Sequence, residues 1–177
     1  MLGTKLIIVF GISGVGKTTT CAEYAQSREG VVHFSASNLL RLHRDTAGTR
    51  SIDDVMGGQI LLIDSVRACR TVTSAKLMLL DAHSLLIADG KDFVIPVDII
   101  AAMEPNGLIF VEAAAEVISR RRTSRGDRGN SISDEITRLQ AVALQAVKEY
   151  SKSLECPLYI VDADQRVDFA RAMEGLS

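Results

Sequence analysis

The apolar run TKLIIVF at 4–10 ends on a glycine, and GISGVGKT at 11–18 then fits the pattern G-x-x-x-x-G-K-[S/T] without a mismatch. A continuous apolar run suits a strand buried on both faces. A helical stretch over 17–28, stopped at Gly30, follows the loop. Glycine permits backbone angles that other residues avoid, so such a loop can turn successive N–H groups toward one concave point. The helix after it adds unpaired N–H groups and the positive end of its dipole. Strand, loop and helix together make a cradle for phosphate, whereas a chance glycine turn explains neither the strand before it nor the helix after. Gly11, Ser13, Gly14, Val15, Gly16, Lys17, Thr18 and Thr19 are therefore candidate nucleotide-binding residues. Lys17 is placed to reach the outer phosphates of ATP, and the Thr18 hydroxyl to be a ligand for Mg²⁺.

The rest of the chain alternates between the two periods. Strands are expected at 31–36, 76–83, 108–113 and 158–163, and Asp89-Gly90 marks a hairpin within 85–95. A short helix is expected at 37–44, with Ser37 able to cap it. A longer one covers 51–71, where Gly57 and Gly58 are positioned to break it. Asp98 falls in the first turn of a helix at 97–103, and another helix runs to about 122. Ser133 is placed to cap a long helix in which Ile136, Leu139, Ala143, Ala146, Val147 and Tyr150 recur at helical spacing. A last helix holds Val167, Phe169, Ala170 and Met173. Five alternations of strand and helix predict an α/β fold, a five-stranded parallel sheet with helices on both faces. The 177 residues suit a single domain spanning 1–177, with insertions at 37–72 and 123–131 over one edge.

Three further features carry chemistry. LMLLD puts Asp81 at the carboxyl end of a buried strand, the edge where such sheets bind ligands, and a carboxylate there can hold Mg²⁺. His83 follows two residues on and by alternation shares its side of the strand. Arginines at 120, 121, 122, 125 and 128 surround Gly126 and Gly129. Arg122, Arg125 and Arg128 are read as members of a lid that closes on transferring phosphates.

Composition removes several classes. A formal charge of -2 does not fit broad nucleic-acid binding. Cys21, Cys69 and Cys156 lie far apart with no CxxC pair, which argues against a disulfide framework or a zinc site and for buried thiols in a reducing cytoplasm. No apolar run is long enough for a membrane span, and MLGTKLIIVFG has no small-residue cleavage site and is read as a strand. No Asn-Lys-x-Asp guanine reader is present, and VDAD at 161–164 is not one.

These residues resemble those of the nucleoside monophosphate kinases, most of all the archaeal-type adenylate kinases. GISGVGKTT is similar to their phosphate loop, LLDAH to the Asp-x-His that ends their third strand, and RRRTSRGDR to their short arginine-bearing lid. HFSASNLLR resembles the segment leading into the monophosphate-binding helix, where a Ser or Thr and an Arg contact the acceptor. That comparison makes Ser35 and Arg41 acceptor-site candidates, together with Asn38, which stands where many relatives carry Asp. Arg50, Arg67 and Arg70 are reserves for the acceptor phosphate. The resemblance implies phosphoryl transfer from Mg-ATP to a nucleoside monophosphate, with AMP as acceptor. Two alternatives use the same cradle: a small-metabolite kinase, and an ATPase that acts as an assembly or regulatory factor.

Overall fold

A computed structural model of the chain describes residues 3–41, 51–126 and 132–176. The apolar run folds as β1 (Lys5–Phe10), in which Leu6 to Phe10 are fully buried. The glycine loop follows, then α1 (Lys17–Gln26), β2 (Val31–Ser35) and α2 (Ala36–Arg41). Next come α3 (Ile52–Val72), β3 (Leu77–Asp81), the hairpin of β4 (Leu85–Ala88) and β5 (Lys91–Val94), and α4 (Val97–Ala101). The chain ends with β6 (Gly107–Glu112), α5 (Ala115–Ser124), α6 (Ser133–Ser153), β7 (Leu158–Asp162) and α7 (Arg166–Leu176).

The expected sheet is present, all parallel, in the order β2-β3-β1-β6-β7. β1 lies between β3 and β6, neither of them adjacent in sequence. The chain leaves β1 toward one edge and later returns to build the other. That reversal opens a crevice at the carboxyl end of β1, where the glycine loop begins. Register sets Asp81 of β3 beside Val9 of β1 and Ser35 of β2 beside Asp81. Right-handed crossovers require α1 on one face and α3, α4 and α6 on the other. On the first face α1 packs against α7 through an edge-on contact of Tyr24 with Phe169. Fully burying a side chain such as Phe10 or Phe110 contributes about 1.5–3 kcal/mol.

Several local expectations are corrected. α3 runs unbroken through Gly57 and Gly58. Glycine costs about 1 kcal/mol per position in a helix interior, and two features offset that cost. A capping box closes its start: Asp54 N–H donates to Ser51 Oγ at 3.1 Å and Ser51 N–H to Asp54 Oδ2 at 3.2 Å. A buried stripe of Val55, Gly58, Gln59, Leu62, Ile63 and Val66 then docks the helix. Ser37 is inside α2 and not its cap, because the helix begins directly after β2. Ser133 is the first helical residue of α6; Ile132 takes the cap position, and the Ser133 hydroxyl donates to Glu116 at 3.3 Å. Cys21 and Cys156 are buried but Cys69 is half-buried. Among the described residues no helix is long and apolar enough to cross a membrane.

The hairpin is tied down from both sides. Asp89 and Gly90 both have positive φ, at 50° and 70°, as a two-residue primed turn demands. The Asp89 carboxylate accepts from Ile52 N–H at 3.2 Å, joining the turn to the start of α3. From α6, the Ala143 carbonyl accepts from the Ser84 hydroxyl at 3.0 Å, and the Tyr150 hydroxyl donates to the Ile95 carbonyl. Tyr150→Phe should therefore leave a buried carbonyl unpaired and cost about 1–3 kcal/mol. Urea unfolding should show a lower midpoint at unchanged slope.

Candidate active site

The loop between β1 and α1 is a tight cradle. A Cβ on Gly11 would lie 2.5 Å from the Val111 carbonyl oxygen of β6, so only glycine fits that approach. Gly16 has φ 113°, a left-handed value, and occupies the cap position of α1 without any side-chain cap bond. The first N–H groups of α1 are thus left to a ligand. Lys17 is buried, and its Nζ donates to the Gly11 and Ile12 carbonyls at 2.7 and 3.1 Å. Burial pushes its pKa down from 10.5 to about 8, against the opposing attraction of Asp81. Ser13, Thr18 and Thr19 are exposed around the loop.

Asp81 is buried at the carboxyl end of β3, and β2 holds it. His33 Nε2 lies 2.7 Å from Asp81 Oδ2; an ionised carboxylate only accepts, so the imidazole nitrogen donates. The Ser35 hydroxyl donates weakly to Oδ1 at 3.4 Å and sits 2.9 Å from the Ser37 hydroxyl. Ser35 therefore supports Asp81, and Ser37 takes its place at the neighbouring cavity. His33 escaped the sequence reading. Alternation puts it on one face with Ser35, but only the β2–β3 pairing shows that this face is also that of Asp81.

That cavity, of about 100 Å³, is framed by α2, α3 and the chain after β3, with Ser37, Leu40, Arg41, Gln59, Leu62, Ala82, His83 and Leu86 on its walls. Because β3 ends at Asp81, His83 lies beyond the strand and strand alternation no longer governs it. Burial, then the Lys17 ammonium, push its pKa down to about 3, so the imidazole is neutral. Arg41 is exposed, and among the described residues it makes a long 3.5 Å contact to Asn38, which is itself exposed and not part of the cavity wall. Arg67 donates to the Ala102 carbonyl, and Arg70 to the Met103, Glu104 and Thr4 carbonyls. Those acceptors lie at the amino ends of β1 and β6, far from the crevice, so both arginines brace the fold and are not reserves. Arg50 lies outside the described residues.

A larger cavity of about 660 Å³ opens on the other side of the loop, between α1, α5 and the chain after β7. Gly14, Gly16, Thr19, Val117, Arg120, Arg121, Arg125, Asp164 and Arg166 are on its walls. Arg122 is buried in α5 and its Nε donates to the Ser13 carbonyl at 2.9 Å. Arg121 donates to the Val15 carbonyl at 2.6 Å and pairs with Asp164 at 2.7 Å. A Cβ on Gly14 would meet Arg122 and Arg125 at 3.0 and 3.1 Å. The arginines thus already rest on the cradle, carried by a helix. Of the expected lid, Thr123 and Ser124 are helical and Arg125 ends α5, while Arg128 lies outside the described residues. The sequence places Arg121 in the arginine cluster and Asp164 in VDAD but does not pair them; that pairing joins α5 to the chain after β7.

The donor set fits Mg²⁺. Thr18 and Asp81 offer a hydroxyl and a carboxylate, hard oxygen ligands of the kind Mg²⁺ takes in ones and twos while keeping its waters. Among the described residues no cluster of three or more His, Cys, Asp or Glu forms a self-sufficient metal cage.

Comparison with known proteins gives a consistent picture. Residues 10–140 match the AAA domain family. Adenylate kinase isoenzyme 1 from Bos taurus and from Homo sapiens are each 26% identical over 140 residues, covering 74% of this chain and 69% of theirs. The fold is similar to that of a sugar kinase from Janibacter sp. HTCC2649, with a TM-score of 0.60 at 18% identity, over 97% of this chain and 93% of that one.

The lowered Lys17 pKa has a measurable consequence. Between about 8 and 10.5 the unfolded chain holds more protons at this position than the folded one, so stability of the free protein should rise with pH across that window. A polyphosphate beside Nζ favours the ammonium. Titrating ATP into metal-free protein at pH 8.5, in buffers of different ionisation enthalpy, should show proton uptake. Uptake should vanish at pH 6.5 and in Lys17→Ala.

Proposed function

The chain belongs to the AAA domain family, as a P-loop kinase, and on that premise we propose that it transfers the γ-phosphoryl group of ATP to a nucleoside monophosphate, AMP, in the cytoplasm. The observation that carries this reading is the chemistry of the smaller cavity. A hydroxyl acceptor needs a base to take its proton. Among the described residues no carboxylate is on the wall of this cavity. Asp81 is engaged by His33, and His83, with a pKa near 3, is a weak base. A phosphate acceptor needs none, because its oxygens are already ionised. The small volume, about 100 Å³, favours the second reading, a hydroxyl-bearing metabolite, which would have to use His83 despite its low basicity.

In this mechanism the loop N–H groups and Lys17 hold the β- and γ-phosphates. Arg122 and Arg125 approach from α5, and Arg41, at the end of α2, forks onto the acceptor phosphate and offsets its repulsion of the attacking oxygen. Asn38 and Ser35 serve the acceptor side at one remove. We assign the acceptor-binding part to residues 37–72 and the closing segment to 123–131, of which 42–50 and 127–131 lie outside the described residues. Thr18 and Asp81 would hold Mg²⁺, which when bound neutralises charge on the transferring phosphates. An acceptor oxygen forms the new P–O bond as the bond to the bridging oxygen breaks, and ADP leaves with the electron pair.

The test mixes purified protein, Mg-ATP and each of AMP, CMP, UMP, GMP and dTMP, and follows diphosphate formation by chromatography. AMP should be the best acceptor, and ATP hydrolysis with no monophosphate phosphorylated would overturn the reading. Arg41→Ala should raise the KM for AMP about tenfold or more, the loss of a charge-assisted contact, with kcat little changed. Asp81→Asn should move the Mg²⁺ dependence of the rate to higher concentration while circular dichroism stays unchanged.

A further inference from the structure

Each edge of the sheet ends in a strand with a row of backbone groups that no neighbour pairs, and such an edge invites another strand unless something blunts it. β2, at one edge, has no exposed residue: Val31 to Phe34 are half-buried and Ser35 is buried. β7, at the other edge, is bare. Tyr159 is 38% exposed and Ile160 45%. Consecutive strand residues point to opposite faces, so neither layer of helices fully covers this strand. α7 packs on β7 but leans inward, with Leu176 at its end lying against Gly107 of β6. LYIVD contains no proline, lysine or arginine to blunt the edge.

The ladder with β6 fixes which groups point outward. Leu108 N–H donates to the Pro157 carbonyl, and Ala163 N–H to the Glu112 carbonyl, both at 2.8 Å. With Leu108 beside Leu158 in parallel register, the N–H groups of Tyr159 and Val161 turn to β6, and those of Leu158, Ile160 and Asp162 turn away. The Leu158 and Ile160 carbonyls turn away with them, while the Asp162 carbonyl accepts from Gln165 N–H at 3.1 Å. Among the described residues nothing else bonds this outward row.

We propose that β7 pairs antiparallel with β7 of a second copy of this chain, about a two-fold axis at Ile160. The axis stands perpendicular to the sheet, so each residue meets one on the same face. Ile160 of each copy exchanges N–H to carbonyl bonds with its twin, and Asp162 N–H donates to the Leu158 carbonyl of the other copy. Tyr159 then lies opposite Val161, an aromatic and β-branched pair of the kind that stabilises antiparallel sheets. On the other face the two Ile160 side chains cover each other. Charge selects this register, because Asp162 is the strand's one charged residue. An axis at Asp162 would set two carboxylates face to face, and an axis at Leu158 would carry Ile160 past the end of the strand. A strand that complements itself about one axis favours a second copy over an unrelated peptide. The chain after β7 carries Ala163, Asp164 and Arg166 into the wall of the larger cavity, so the seam runs beside that cavity in each copy.

Sedimentation equilibrium of the wild type from about 5 to 500 µM, the span over which a micromolar dimer dissociates, should show the mass rise from one chain to two. A mass of one chain throughout overturns the proposal. Ile160→Lys and Ile160→Glu, at an exposed position, should each fold and stay monomeric, since each sets like charges across the axis. Mixed in equal amounts they should form a dimer again, because residue 160 meets residue 160. A dimer that persists in either variant alone, or a mixture that stays monomeric, overturns the proposal. Hydrogen exchange on the wild type reads the same contact without a substitution, should a variant not fold. The Ile160 and Asp162 amides should slow about tenfold or more from the low to the high concentration, while those of Tyr159 and Val161, bonded to β6, are slow at both. Ile160 and Asp162 amides that exchange equally fast at both concentrations overturn the pairing.

Discussion

Burying the Lys17 ammonium at the end of the central strand would cost several kcal/mol if it stood alone, and the crevice is built around that cost. Nζ straddles the Gly11 and Ile12 carbonyls. Those carbonyls are in reach only because Gly11 tolerates contact with Val111 of β6. Asp81, one strand away, supplies the opposite charge, and His33 holds Asp81. Arg121 and Arg122 bond the far side of the same loop through the Val15 and Ser13 carbonyls. The loop is therefore fixed from three strands and one helix, and its N–H groups have little freedom to turn away.

The order of strands around β1 divides the work. On the β6 and β7 side, α5 and the chain after β7 make a broad cavity rich in arginine. On the β3 and β2 side, α2, α3 and the hairpin make a narrow one, with Ser37, Arg41, Gln59 and His83 as the polar side chains among its described lining residues. The hairpin is held by α3 through Asp89 and by α6 through Ser84 and Tyr150, so the narrow cavity is built on packed elements.

The phosphate cradle, the sheet and the helix over 51–71 were legible because each depends on neighbours in sequence. Glycine spacing and apolar periodicity act over a few residues, and the structure shows both, adding a Ser51–Asp54 capping box that closes the helix start locally. The misjudged positions are those where a local signal met a distant demand. Ser37 and Ser133 have the chemistry of caps, but helix starts displaced by one residue gave their hydroxyls other partners. Gly57 and Gly58 have the chemistry of a break, but a docked face kept the helix whole. Arg67 and Arg70 share the charge of Arg41, yet their places on α3 direct them to carbonyls at the opposite end of the sheet.

By itself the sequence determined that a strand, a glycine loop and a helix would meet at a phosphate-sized cradle, that four more strands would join in parallel, and that Asp81 would stand at their carboxyl edge. Tertiary structure alone decided which side chains share that edge. Alternation says that His33 and Ser35 face one way, but not that β2 lies against β3 in the register that brings them to Asp81. Nor does helical spacing say that Arg121 meets Asp164, or that Gln59 is on the wall of a cavity instead of packing in the core. Periodicity orients a side chain relative to its own backbone, and only the long-range order of strands and helices supplies what it meets there.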